Sequence, residues 1–141
     1  MKKKGFSLIE LVVVMAVMGV LMALVLPSIT RSRAAARDGK RKADLESARA
    51  ALEVYRGDQP VPAYPVATGN PPRASGVVGG YLPSWPTDPL TNRNYRYVQT
   101  GSGSGYALCA LLEAEIGVTT VNCNGAGNCG GSAVCNYEVT N

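Results

Sequence analysis

Residues 2–26 have the sequence KKKGFSLIELVVVMAVMGVLMALVL, a short cationic segment followed by a long apolar one. The sixteen residues of Leu11–Leu26 include no polar side chain. The 21 residues from Phe6 to Leu26 would rise about 31 Å as an α-helix, which matches the hydrocarbon core of a bilayer. The stretch therefore predicts a membrane-spanning helix and excludes a simple soluble cytoplasmic protein.

A cleaved secretory signal peptide is the alternative interpretation of this segment, with cleavage at the alanines of 34–36. The apolar block is longer than the usual core of about 7–15 residues in a signal peptide. Pro27, Arg31 and Arg33 also separate the block from those alanines. We therefore expect the helix to stay attached to the mature chain.

The composition of the 141 residues argues against an enzyme. Histidine is absent from the sequence, which removes His-based nucleophile pairs, His-ligated metals and the commonest general base. The cysteines form no C-x-x-C redox pair. Lys2, Lys3 and Lys4 supply three of the four net positive charges, so global charge gives little reason to expect nucleic-acid binding.

Glu10 is the exceptional residue of the apolar segment, because a carboxylate in a membrane helix is costly and needs a partner. In this context, residues 2–10 and the apolar run that follows them resemble the class III leader of type IV pilins and type II secretion pseudopilins. The resemblance implies that a prepilin peptidase cuts between Gly5 and Phe6 on the cytoplasmic side of the membrane. It also implies N-methylation of the new amine of Phe6.

Cleavage would place the cationic amine of Phe6 one helical turn from Glu10. In an apolar bundle the two charges are each other's best partners, within a subunit or between neighbours, so both residues are predicted to act in assembly. The resemblance also places Gly19 and Pro27 at the ends of a stretch of helix that unwinds in the filament. Proline lacks an N–H and glycine has weak helix propensity, although a close helix contact at Gly19 is an alternative.

The basic residues that flank the span conflict with this orientation. Six of them lie between residues 31 and 42, against three leader lysines, and the positive-inside rule alone would place the C-terminal part in the cytoplasm. We give precedence to the leader and to the cysteine-bearing tail, which favours export. The basic run could bind anionic lipid or DNA, but a solvated or ion-paired stem is preferred, and a nucleic-acid partner is not supported.

Helical periodicity continues beyond the apolar run, with four apolar residues on one face: Leu45, Ala48, Leu52 and Tyr55. Gly57 and Pro60 are stop signals, so the helix is predicted from about Phe6 to Arg56. Lys40 and Asp44 are spaced for an ion pair on its solvated surface.

The C-terminal part predicts a small antiparallel sheet. Prolines and glycines exclude regular elements from Pro60–Pro89, and Asn94–Thr100 and Tyr106–Glu113 are predicted strands joined by the glycine-rich loop Gly101–Gly105. The fold class is therefore α+β, a long N-terminal helix packed against a sheet, as in pilins. The segment 81–90 resembles the loop before the sheet in major pseudopilins, and there Asp88 is predicted to form a turn.

The predicted organisation is a leader (1–5), a transmembrane or filament-core helix (6–27), an amphipathic stem helix (28–57), a connecting loop (58–93) and a sheet with a disulfide-closed tail (94–141).

Four cysteines lie in the last of these segments, and their spacing favours disulfides over a zinc site. Three pairings are possible. We favour Cys109–Cys135, which would tie a tail strand at residues 134–139 to the sheet, together with Cys123–Cys129, which would close a glycine-rich loop.

Major pseudopilins, which the chain resembles, bind calcium through acidic and carbonyl ligands that follow the strands. Here residues 114–141 contain only Glu115 and Glu138 as side-chain acids, so we predict no metal and no cofactor. This shifts the functional prediction towards a pilin. The chain would be a structural subunit of a type IV pilus or similar surface filament, assembled through its hydrophobic helix.

The predicted partners are identical subunits, the prepilin peptidase, the assembly platform in the cytoplasmic membrane and, before assembly, the membrane itself. The precursor would cross the cytoplasmic membrane once with its N-terminus in the cytoplasm, and the filament would be extracellular or periplasmic. Two alternatives stay open. One is the major pseudopilin of a type II secretion system, and the other is a membrane-anchored binding domain that never polymerises.

Overall fold

The computed structural model describes residues 5–66, 68–69, 80–114, 123, 128–130 and 133–141. Within these residues the chain forms one long helix, a four-stranded antiparallel sheet and a separate pair of short strands. The predicted α+β class, with a long N-terminal helix packed against a small antiparallel sheet, is confirmed.

Helix α1 is Leu8–Asp58, and its 51 residues give a rod about 76 Å long. The helix begins two residues later than predicted and also ends two residues later. At the C-terminus Gln59 takes an extended conformation, and its N–H donates to the carbonyl of Arg56. The stop predicted from Gly57 and Pro60 is thus found within a few residues of its expected place.

The two halves of α1 have different surroundings. Residues 5–33 are all exposed, whereas the buried positions of the helix begin at Asp38 and continue to Leu52. From Asp38 onwards α1 packs against the sheet and its loops. This packed part of the helix is called the stem below, and everything C-terminal to α1 is called the head.

The main sheet has the strand order β1-β2-β3-β6, with every neighbouring pair antiparallel. Its strands are β1 Thr68–Gly69, β2 Arg96–Thr100, β3 Gly105–Ala110 and β6 Tyr137–Thr140. The second sheet pairs β4 Asn128–Gly130 with β5 Ala133–Val134. The short strand β1 lies in the connection that was predicted to hold no regular element.

The predicted hairpin between β2 and β3 is confirmed, and its loop is a tight turn. Gly101, Ser102 and Gly103 all have positive φ, at 57°, 54° and 98°. A Cβ on Gly103 would lie 3.2 Å from the Cβ of Ala63, so both backbone conformation and space require glycine there.

Strand β3 ends at Ala110, three residues before the predicted end at Glu113. Beyond that point hydrogen bonds from side chains replace the backbone hydrogen bonds between strands. The amide of Asn136 makes two hydrogen bonds with the backbone of Leu112, and the carboxylate of Asp38 accepts from the N–H groups of Glu113 and Ala114. The chain therefore leaves the sheet to meet the helix.

Both faces of β3 are buried. Tyr106, Leu108 and Ala110 point to the core shared with the stem, which includes Leu45 and Leu52 of α1. On the opposite face, Ala107 and Cys109 pack against the other three half-cystines, Cys123, Cys129 and Cys135. The sheet therefore lies between the stem helix on one side and the disulfide-bonded tail on the other.

The cysteines form two disulfides, so the preference for disulfides over free thiols is confirmed, but the predicted pairing is wrong. The bonds are Cys109–Cys123 and Cys129–Cys135. The register of β3 and β6 explains the error, because it places Glu138 opposite Cys109. Cys135 is three residues further along, about 10 Å in an extended strand, which exceeds the reach of a disulfide. Hydrogen bonds, not a disulfide, hold β6 on the sheet.

Candidate assembly site

The N-terminal half of α1 presents apolar side chains to its surroundings on all sides. Its most apolar stretch of 18 residues has a mean hydropathy of 2.8, and none of it is buried. By length and composition α1 is the one helix among the described residues that could cross a membrane. A surface this large and apolar is stable only in lipid or against other apolar helices.

The residues predicted for processing and assembly lie at the start of this surface. Gly5 and Phe6 precede the helix and are exposed, and the ring of Phe6 has 86% of its surface accessible. Glu10 lies in the first helical turn and is also exposed. Ser7, between Phe6 and the first helical residue, is extended, so in this structure Phe6 lies outside the helix that carries Glu10. The spacing of one helical turn and the roles of both residues in cleavage, methylation and assembly stay predictions.

Gly19 and Pro27, the predicted ends of an unwinding stretch, both lie inside continuous helix. A Cβ on Gly19 would meet no atom within 4 Å, so the single chain does not use the small size of this residue. The hydroxyl of Thr30 donates to the carbonyl of Pro27 at 2.9 Å. Unwinding in a filament stays a prediction, because it concerns the assembled state.

Arg41 is the main contact between stem and head, and the sequence analysis did not identify it. Its side chain is fully buried. The guanidinium donates twice to the carboxylate of Asp88, at 2.7 and 2.9 Å, from Nε and Nη2. Its Nη1 donates to Asp38 at 2.7 Å and to Glu113 at 2.6 Å. One side chain of α1 thus holds the loop before β2 and the segment after β3.

Two neighbours complete this cluster. Arg37 forms a second fork on Glu113, with hydrogen bonds of 2.8 and 2.6 Å, and Nη1 of Arg93 lies 3.7 Å from the same carboxylate. Asp88 also accepts from the N–H of Leu90, so its predicted role as a turn-former is confirmed, alongside an ion pair that was not predicted.

The charges in this cluster shift one another's proton affinities. Hydrogen bonds from Arg37, opposed by burial and reinforced by Arg41, lower the pKa of Glu113 to about 2. Hydrogen bonding to Asp88, opposed by burial, raises the pKa of Arg41 above its already high ordinary value. Arg41 and Glu113 therefore keep their charges, and six charge-assisted hydrogen bonds between side chains fix how the head sits on the stem.

Tyrosine hydroxyls from the head form a second row of contacts along the stem. Tyr95 donates to Asp44 at 2.8 Å, and Tyr64 and Tyr106 donate to Glu53. Burial first, and the hydrogen bond to Asp44 second, raise the pKa of Tyr95. The predicted pairing of Asp44 with Lys40 is therefore replaced by a contact with the head.

The sequence contained one signal for these contacts. Asp38, Arg41, Asp44 and Leu45 follow one another at helical spacing, so the charged residues continue the apolar face instead of lying opposite it. Their partners are 47 to 76 residues away in the chain, and no local pattern links them.

Comparison with known proteins adds to this geometry. Residues 1–26 match the model of the prokaryotic N-terminal methylation motif. The chain is 33% identical over 121 residues to type II secretion system core protein G of Pseudomonas aeruginosa, covering 78% of this chain and 83% of that protein. The protein of the same name from Escherichia coli is 31% identical over 126 residues, covering 82% and 86%. That from Vibrio cholerae is 30% identical over 108 residues, covering 71% and 73%.

The chain belongs to the type IV pilin and pseudopilin family. No solved structure matches it.

Family membership accounts for the contrast between the two halves of α1. In a pseudopilin-family chain the apolar half anchors the precursor in the membrane, and the stem carries the head. Half of the segment on which the absence of calcium was predicted, residues 114–141, lies outside the described residues. Among the residues that are described, the three converging carboxylates of Asp38, Asp88 and Glu113 are occupied by Arg41.

Proposed function

We propose that this chain is the major pseudopilin of a type II secretion system, a structural subunit without catalytic activity. The observation that carries the proposal is the similarity to core protein G of three species over more than 100 residues each. An alignment of that length extends far beyond the N-terminal motif of 26 residues, so it includes the stem and much of the head. The relatives therefore favour the alternative that the sequence analysis placed second.

In this proposal a prepilin peptidase removes residues 1–5 and methylates Phe6, and identical subunits then leave the membrane to form a filament. The apolar half of α1 would become the filament core, where the amine of Phe6 and the carboxylate of Glu10 compensate each other. Contacts between identical subunits that do not close on themselves generate a helical filament. The assembly platform of the secretion system would supply the subunits, and the filament would lie in the periplasm.

A surface pilus is the second candidate, and one observation favours it. Residues 114–141 hold two side-chain acids, Glu115 and Glu138, which is a poor ligand supply for calcium.

Deletion of the gene in its source organism separates these two candidates. For a pseudopilin, secreted enzymes accumulate in the periplasm and surface fibres stay normal, and the wild-type gene restores secretion. Normal secretion together with a loss of surface fibres would reject the pseudopilin proposal in favour of the pilus.

Determination of the mature N-terminal residue by mass spectrometry tests processing separately. We expect N-methylated Phe6. An intact Met1, or a start near Arg37, would contradict assembly through a processed helix and support the membrane-anchored binding domain or a cleaved signal.

A further inference from the structure

The helix carries unpaired cations immediately outside its apolar half. Arg31 and Arg33 lie five and seven residues beyond Leu26, or about 8 and 10 Å along the helix axis. Each headgroup layer of a bilayer is about 5–8 Å thick, and long arginine side chains can reach back towards it. Residues two positions apart on a helix are rotated by about 200° about its axis, so the two side chains project from opposite sides of the rod.

These arginines differ from three arginines nearer the head, which have carboxylate partners. Arg37, Arg41 and Arg93 all contact Glu113, and Arg41 also pairs with Asp38 and Asp88. Within the described part of the chain, no ion pair or hydrogen bond involves the side chains of Arg31 or Arg33, and both residues are exposed. Among the residues that the structure describes, their positive charge has no counter-charge.

The stem cannot supply that counter-charge locally. The sequence contains no acidic residue between Glu10 and Asp38. The carboxylate of Asp38 is already occupied by Arg41 and by the backbone N–H groups of Glu113 and Ala114. No carboxylate of the described residues is therefore available to Arg31 and Arg33, and an anion from outside the subunit can compensate them.

The structure offers space for such an anion beside Arg31. A cleft of about 480 Å³ lies where the stem approaches the head, between Arg31, Ala34 and Ala35 on one side and Glu113 and Ala114 on the other. The two alanines leave room next to the guanidinium. The charge of Glu113 in this cleft is compensated by Arg37 and Arg41.

We propose that Arg31 and Arg33, on opposite sides of the helix, bind the phosphates of anionic phospholipid headgroups in the leaflet at the C-terminal end of the span. Their charge is complementary to these phosphates, and both residues lie at the outer edge of the headgroup layer, from which their long side chains reach back to the phosphates. These contacts hold the subunit at a defined depth until it is extracted, when they must break. The inference rests on the membrane span and is independent of whether the filament serves secretion.

The test uses the full chain in a neutral detergent, titrated with a short-chain phosphatidylglycerol and, in parallel, with a short-chain phosphatidylcholine. Bound lipid is counted by native mass spectrometry. The variants are the double substitution R31Q/R33Q, its charge-preserving counterpart R31K/R33K, and K40Q. Lys40 is an exposed cation about 21 Å beyond Leu26 on the same helix, so K40Q removes a charge outside the headgroup layer.

We expect R31Q/R33Q to weaken phosphatidylglycerol binding by about ten- to thirtyfold, since each basic residue near a membrane surface contributes about fivefold. R31K/R33K and K40Q should stay within about threefold of the wild-type chain. Every variant keeps the leader lysines, so their contribution cancels. Unchanged binding by R31Q/R33Q, an equal loss in K40Q, or equal affinity for phosphatidylcholine would overturn the proposal. Helix content measured by circular dichroism confirms that the variants are folded.

Discussion

At the scale of single residues, Arg41 joins the two parts of the molecule. A fully buried guanidinium is tolerated because three carboxylates, from Asp38, Asp88 and Glu113, surround it with hydrogen bonds of 2.6 to 2.9 Å. Such a cluster contributes less to net stability than to geometry, because the desolvation of the charges offsets much of their attraction. Removing Arg41 is nevertheless severe, since the buried carboxylates of Asp38 and Asp88 then lose their cation, and only Glu113 keeps one, Arg37.

The substitution Arg41→Met tests this role. We expect it to lower the free energy of unfolding of the head by about 3–5 kcal/mol, the usual cost of leaving buried charges unpaired. Urea unfolding of the full chain in detergent measures the change, with the fluorescence of the buried Trp85 as the signal. Arg49→Met is the matched control, because Arg49 pairs with Glu46 at 3.6 Å on the exposed surface of the helix. A loss below about 1 kcal/mol in both variants would refute the role of Arg41.

The depressed pKa of Glu113 predicts a second effect at this scale. Above its ordinary value near 4.5 the carboxylate is ionised in both folded and unfolded chains, and its contribution is fully present. Between 4.5 and 2 the unfolded chain takes up a proton first, so stability falls, and the contribution is lost once pH drops through 2. The free energy of unfolding at pH 3 should therefore lie about 2 kcal/mol below its value at pH 7 from this group alone.

Glu113→Gln provides the control for this pH dependence. The variant is less stable at pH 7 but keeps the other titrating groups. Its loss of stability between pH 7 and pH 3 should be smaller than that of the wild-type chain by about 2 kcal/mol. Parallel pH profiles for the two proteins would show that Glu113 has no such shift.

At the scale of elements, strand β3 organises the head, because it packs against the stem on one face and the cysteines on the other. The register with β6 decides which cysteines meet. Peptide mapping under non-reducing conditions should give linked peptides containing Cys109 with Cys123 and Cys129 with Cys135. A linked peptide containing Cys109 and Cys135 would show that the register of β6 is wrong, and not only the pairing.

The sequence predicted the elements better than their contacts. Both ends of α1 were found within two residues because the apolar run, Gly57 and Pro60 are local signals. The early end of β3 depends on Asp38 and Asn136, which are 24 or more residues away, and it was missed for that reason. Arg41 was assigned to a solvated or ion-paired stem because a charged residue is normally exposed, and only the fold brings its three acids together.

The candidate functional residues also divide into those that a local sequence motif predicts and those that only the fold reveals. Phe6, Glu10, Gly19 and Pro27 were all identified from the sequence, because they form a local motif within 22 residues. Glu10, Gly19 and Pro27 lie on the exposed half of the helix and Phe6 lies just before it, and the roles of all four stay predictions. The arginines that remain without a counter-charge could be recognised only after the ion pairs of the neighbouring ones were known.

At the scale of the whole molecule, one rod has two different tasks. Its C-terminal part is built into the head by apolar packing and charged contacts, whereas residues 5–33 are exposed to their surroundings. In the proposed function this apolar surface is covered by lipid before assembly and by other subunits afterwards. The central claim is that transfer between these two environments depends on pairing of the charge on Glu10 within the helix bundle.

The most direct test compares filament formation by the wild-type chain, Glu10→Ala and Glu138→Ala in cells that contain the assembly machinery. Glu138 lies on β6 opposite Cys109 and serves as a head carboxylate outside the helix bundle. Filaments are measured by shearing and cross-linking, and the fold of the head by the two disulfides. We predict at least a tenfold loss of filaments for Glu10→Ala, with intact disulfides, and near wild-type assembly for Glu138→Ala. Normal filaments in Glu10→Ala, or a wild-type chain that stays monomeric in the membrane, would contradict the account.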